Sequence, residues 1–160
     1  MSGNFALELS RFTGRTQRNM DVVTRKVLIH LMRSVVRKSP VGNPDLWVTL
    51  RNGQYVDYQS VHGPVDYTGG HFKANWQYGD GAMPRDTVDT INPNDGAAID
   101  AMTARLPERT AGKLHFIVNN LPYSVRLEHG WSTQAPSGMV GLAISEYPGI
   151  VRQAVSELGA

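Results

Sequence analysis

Residues 10–38 read SRFTGRTQRNMDVVTRKVLIHLMRSVVRK, and this stretch decides the fold. It holds no proline, and Ser39-Pro40 follows it directly. Ser10 is a plausible N-cap, and the residue before a proline avoids the α region, so the spacing predicts a helix from Ser10 to Lys38. Gly14 weakens the first turn, so the expected start shifts towards Thr16. At about 100° per residue, Met20, Val23, Val27, Leu31 and Val35 share an arc of roughly 120°, the expected core face. Arg11, Arg15, Arg18, Arg25, Lys26, Arg33 and Arg37 gather on the opposite side. Within that basic arc runs a second apolar line, Val22, Ile29 and Val36, spaced by seven. It reads equally well as a subunit contact or as a wider intramolecular core.

Beyond the helix, a Pro/Gly-rich stretch, residues 40–45, leads into two β-prone runs, 47–50 and 55–58, separated by Arg51-Asn52-Gly53-Gln54. Asn-Gly supplies the two positive-φ positions of a type I′ turn, so residues 46–60 form a projecting hairpin in this reading. Residues 71–78 alternate well enough for a strand with Phe72, Ala74 and Trp76 on one side. Asp95 is placed to cap a helix carrying Ala98, Ile99, Met102 and Leu106, and Lys113 to Val118 is a second strand. Tyr123 to His129 is a short helical piece ended by Gly130. Met139 to Leu158 is a final helix with Leu142, Ile144, Ile150, Val151 and Val155 as its apolar positions, kinked or split at Pro148. Helices at both ends with strands between them make an α+β fold: a long N-terminal helix and a C-terminal helix packed on a small, mainly antiparallel sheet.

The length, 160 residues, suits one domain. Three Trp, six Tyr and four Phe in a chain that is 41% hydrophobic argue against wholesale disorder. With no cysteine there is no disulfide scaffold, thiolate metal site or cysteine nucleophile. No apolar stretch is long enough to span a membrane, and Met1 to Arg11 lacks the apolar core of a signal peptide, so a soluble protein assembled in the cytoplasm is expected. Net charge is only +2 but lopsided: residues 1–38 hold 8 basic and 2 acidic residues, the remainder 8 and 12. Such a dipole concerns partners and self-association rather than fold.

The residues give little support to catalysis. None of the five His forms the i, i+4 pair of a helical zinc site, and no Gly-x-Ser-x-Gly elbow presents a nucleophile. The glycines at 69, 70, 79 and 81 match neither a phosphate loop nor a dinucleotide fingerprint. No cofactor, metal or enzymatic role is expected. Nucleic-acid binding has more support from the basic helix face, but the face lacks the aromatics of a base-stacking platform, so any DNA contact would be to phosphates and non-specific.

Four segments in order carry a resemblance: Val35 to Trp47 closing the basic helix, Tyr67 to Gln77, Asn119 to Gly130, and Gln134 to Val140. Together they resemble the tail-completion, or neck, proteins of long-tailed double-stranded DNA phages, the lambda Z-type minor tail proteins. The likeness spans nearly the whole chain, with its main departure at Val48 to Val65, where relatives carry a shorter connection. The resemblance implies a structural virion protein at the head-proximal end of the tail. It would stand beside the tail terminator and the head–tail connector, in a ring, six-fold by expectation, around the DNA channel. It brings no catalytic residues. The candidate subunit interface is then Val22, Ile29, Val36, Trp47 and Tyr55. The candidate contacts to channel DNA or an acidic partner are Arg18, Arg25, Lys26, Arg33 and Arg37. A tail terminator and a small basic nucleic-acid-binding protein are the alternatives.

Overall fold

In the computed structural model, which describes residues 2–158, the first element is a helix much longer than the capping signals predict. α1 runs from Ser2 to Lys38 without a break at Gly14. A glycine inside a helix costs about 1 kcal/mol, which does not stop a helix already nucleated on its C-terminal side. Only the second half of α1 meets the rest of the chain. Among the described residues, the first α1 side chain to bond outside the helix is Asp21. Its carboxylate accepts from the backbone N–H groups of Thr110 and Ala111, both at 2.8 Å. From there Val27, Leu28, Met32, Val35 and Val36 are buried, whereas Met20, expected in the core, is exposed.

After a short 3-10 turn, Pro44–Leu46, the hairpin forms as read: β1 (Val48–Arg51) pairs antiparallel with β2 (Gln54–Asp57), Arg51 opposite Gln54. Asn52 and Gly53 both take positive φ, 52° and 79°. Thr49 and Val56 face inward and are half-buried, while Val48, Leu50 and Tyr55 point out. A five-residue helix, α2 (Tyr58–His62), follows, capped by Asp57, which accepts from Ser60 N–H at 2.7 Å.

The strand read over residues 71–78 is corrected. His71–Ala74 is a helical turn, α3, and the strand β3 begins at Trp76 and runs to Asp80. Phe72 and Trp76 are both buried, as expected, but they come from different elements, Phe72 from the turn α3 and Trp76 from the start of β3, rather than from one alternating strand. The turn is fixed by Asn75, which is wholly buried. Its amide donates to the carbonyls of His71 and Val88 at 2.9 and 2.8 Å, and its oxygen accepts from Val88 N–H at 2.8 Å. Gln77 donates to Asp86 O at 2.6 Å, and Asn120 to Pro84 O at 2.9 Å. Side chains thus satisfy the backbone between β3 and the next helix, which is why that segment has no regular structure.

In α4 (Asp95–Ala104) the N-cap position falls on Asn94, whose side chain makes no capping hydrogen bond, and Asp95 instead pairs with the buried Lys73 ammonium at 2.6 Å. β4 (His115–Asn119) pairs antiparallel with β3, Trp76 opposite Asn119. The chain closes with α5 (Ser124–Glu128) and α6 (Val140–Ser156). The α+β class is as expected, with one correction: the strands form two separate two-stranded antiparallel sheets. Helix α6 lies antiparallel along α1, since Glu146 meets Lys38 and Glu157 meets Lys26, each at 2.8 Å.

Two expectations for α6 are also corrected. The helix continues through Pro148, whose missing N–H falls on an exposed turn where water can satisfy the freed carbonyl. Its buried residues are Ala143 and Ala154, whereas Leu142, Ile144 and Val155 are exposed. Small side chains let two helix backbones approach closely, and hydrophobicity alone does not reveal that.

One core joins these elements: Leu28, Met32, Val35 and Val36 of α1, Trp76 and Tyr78 of β3, Ala98, Ile99 and Met102 of α4, and Met139 and Ala143 near the start of α6. Val36 has no accessible surface, so the apolar line containing it is core at that end. Urea unfolding tests this: Val36→Ala lowers stability by about 2 kcal/mol and Val22→Ala by less than about 0.5 kcal/mol. Equal losses would contradict the placement.

Candidate functional site

Three surfaces compete for a functional role: the basic side of α1, its exposed first half, and a groove beside the hairpin. On the basic side the five candidate cations divide. Arg25 donates to the carbonyls of Leu106 and Pro107 at 3.3 and 3.2 Å, closing the chain after α4. Lys26 is held by Glu157. Within the chain these two half-buried cations thus make internal ties. Arg18, Arg33 and Arg37 are exposed, with no ion pair among the described residues, and Arg11 and Arg15 extend the row towards the N-terminus.

The candidate interface residues divide as well. Val36 lies in the core and Ile29 is packed against it half-buried, because α4 and α6 both pack on this half of the helix. These are corrections, and Val22 alone of that line is exposed. Trp47 and Tyr55 belong to the groove. Trp47 is half-buried against Tyr58 and Tyr67, with ring centroids at 5.8 and 5.2 Å. Tyr55 is 77% exposed at its rim.

The groove encloses about 600 Å³. Its walls are the Pro40–Trp47 segment, the outer face of the hairpin, Tyr67 and Phe72, the α5 residues beside Tyr123, and the loop from Trp131 to Gln134. The segments singled out by the resemblance meet here. The Gln134 side chain bonds both backbone groups of Val41, accepting at 3.1 Å and donating at 2.8 Å. Gly69 lies directly against the Gly42 carbonyl, where any side chain would collide with backbone. The rings of Phe72 and Tyr123 stand 6.0 Å apart. Residues from each of these motifs therefore line or support the groove. Its mouth is apolar and open, with Leu46, Val48 and Tyr55 on one side and Trp131, 75% exposed, on the other. The Arg126 guanidinium lies over the Trp131 ring at 5.5 Å.

Glu128 holds the far wall. Its carboxylate accepts from the backbone N–H groups of Met139, Val140 and Gly141 at 2.9, 2.9 and 2.8 Å, capping α6 from eleven residues away. Burial alone would raise its pKa; the three donors outweigh it and hold the carboxyl below its ordinary 4.5. The Lys38 ammonium and the Ser34 hydroxyl likewise lower Glu146, and the Ala111 and Thr110 N–H groups lower Asp21 against a smaller burial penalty.

Among the described residues no group of three or more His, Asp or Glu is placed to hold a metal, and no helix is long and apolar enough to cross a membrane. His115 is tied between the Tyr78 hydroxyl at 2.7 Å and the Thr110 carbonyl at 2.8 Å, which fixes its ring as a structural bridge. No protein-family model, curated protein or solved structure matches this chain. The surfaces themselves therefore carry the functional reading.

The reading from the sequence missed the first half of α1. Phe5, Leu7, Leu9 and Phe12 are exposed. Phe5, Leu9 and Phe12 continue the three-and-four spacing of Met20, Val23 and Val27, a signal present in the sequence but set aside with Gly14.

The Glu128 cap gives a pH test. A depressed folded pKa adds stability that is fully present above the unfolded value and disappears as pH falls through the folded one. Glu128→Gln is therefore less stable than the parent chain at neutral pH, by about 1 kcal/mol for a partly screened cap. In urea unfolding the two converge as pH drops below 4.5. A gap that persists undiminished at low pH would contradict the assignment.

Proposed function

We propose that this chain is a structural, non-enzymatic component of the neck of a long-tailed phage, completing the tail and supporting head–tail joining within a ring around the DNA channel. The observation that carries this reading is the apolar surface left open at two separate places. One is the exposed helical arm bearing Phe5 and Phe12, 69% and 60% accessible, and the other is the aromatic groove. Monomers seldom leave large contiguous apolar patches in water, so a chain with two of them is built to be covered by neighbours. The resemblance supplies the kind of assembly.

The row Arg11, Arg15, Arg18, Arg33 and Arg37 fits that setting, since guanidinium groups facing a channel would meet phosphates without reading sequence. The same row favours the second reading, a free nucleic-acid-binding protein. Duplex-DNA affinity of the isolated chain with a steep salt dependence would support that alternative.

The experiment is electron microscopy of lysates from a phage carrying an early stop codon in this gene. The proposal predicts filled heads beside separate tails of normal length. Overlong tails would move the assignment to a terminator, and normal infectious particles would overturn it.

A further inference from the structure

The arm and the groove lie at opposite ends of one rigid element. Helix α1 ends at Lys38, and the groove begins two residues later at Pro40. Phe12 lies 26 residues before Lys38, about 39 Å along the helix axis at 1.5 Å per residue. While α1 stays helical the arm therefore cannot fold back into its own groove. Residues 4–20 are exposed apart from the half-buried Gly14, so nothing among the described residues covers them.

The two surfaces match in chemistry. On the arm, Phe5, Leu9, Phe12 and Met20 share an arc of about 80°, presenting anchors at i, i+4 and i+7 as a helix does when it lies in a groove. The groove offers rings and aliphatic groups, Leu46, Tyr55, Tyr67, Tyr123 and Trp131, with accessible faces. The charges are also complementary. Residues 2–20 carry Arg11, Arg15 and Arg18 against Glu8, whereas the segments that form the groove, residues 40–67 and 123–134, carry Asp45, Asp57, Asp66 and Glu128 against Arg51 and Arg126. Two arms packed on each other would instead bring six arginines together, which disfavours that pairing.

We infer that the arm of one copy, residues 4–20, docks through Phe5, Leu9 and Phe12 into the aromatic groove of a second copy of this chain. The contact is heterologous, because different surfaces of each copy take part. Repetition of such a contact closes into a ring or runs on as a filament, with the length of α1 setting the spacing between copies. The inference concerns the chain's contact with itself and stands apart from the identity of the assembly, which the stop-codon phage tests separately.

The chain has no cysteine, so single thiols can be placed cleanly in the full-length protein. Thr16→Cys marks the arm beside its apolar anchors, Thr133→Cys the groove, Ile144→Cys the exposed face of α6, and Asp100→Cys serves as a surface control. All four positions are exposed and none is an anchor of the proposed contact, so the substitutions leave the core and the dock intact. Pairs are mixed under mild oxidation and resolved on non-reducing gels. Thiols held side by side feel a millimolar effective concentration, so a Thr16→Cys/Thr133→Cys heterodimer should exceed the control pair by roughly tenfold or more at micromolar chain. The chain carrying both substitutions should form a ladder of covalent oligomers. A Thr16→Cys homodimer as the main product would overturn the inference in favour of arm pairing. A preferred product with Ile144→Cys would move the dock to α6, and yields no higher than the control would exclude self-association through the arm.

Discussion

The rest of the structure depends on how the C-terminal end of α1 is held. Ser39 donates to the Val35 carbonyl at 2.7 Å, and its hydroxyl accepts the Trp76 indole N–H at 2.7 Å. Both residues are buried beside Val36, so this short chain of hydrogen bonds is made where water cannot compete. It fixes the end of the longest helix against β3 and aims the chain at Pro40, from which the groove is built. At the other side of the same core, Asp21 bonds Thr110 and Ala111 and marks the level where α1 leaves the body. Between these two ties the helix is clamped, and everything before Asp21 stands clear.

Clamping one half of a helix accounts for the shape of the surfaces. The free half extends about 28 Å from Ser2 to Met20. An isolated helix of that length is marginal in water, but propagation from a nucleus held by tertiary contacts carries no nucleation cost. The arm's apolar stripe is the outward continuation of the stripe that Val23 and Val27 bring to the body. That continuity, core at one end and solvent-exposed at the other, is the basis for proposing that another molecule covers the arm. On the basic side, the body consumes Arg25 and Lys26 and leaves Arg33 and Arg37 outside, so the charge facing a partner is smaller than the sequence suggests.

How far the sequence could be read follows from the range of each interaction. The hairpin was legible because Asn52-Gly53 fixes its turn locally, and the two terminal helices were legible from periodicity and Pro40. The start of α1 was not, since Gly14 and Ser10 carry local signals weaker than propagation from the clamped half. Val36 could not be separated from Val22 by spacing alone, because the number of sides covering a helix is a tertiary fact. The turn at His71 depends on Asn75 reaching Val88, and the α6 cap depends on Glu128 reaching across a loop; neither leaves a mark at short range. The Ala143 and Ala154 contacts were hidden because close helix packing selects for smallness where hydrophobicity scales look for bulk. The groove is not legible in the sequence: residues 40–48, Tyr55, Tyr67, Phe72 and residues 123–134 line it from distant segments that only the fold brings together.

The central proposal is that this chain is a structural part of a phage particle. Quantitative mass spectrometry of gradient-purified, intact virions of a phage whose genome carries this sequence tests that proposal most directly. The account predicts the chain in the particle at a few copies per virion, in fixed ratio to the tail-tube and connector proteins and resistant to salt washing. Its absence from infectious particles, with abundant protein left in the lysate, would contradict the account.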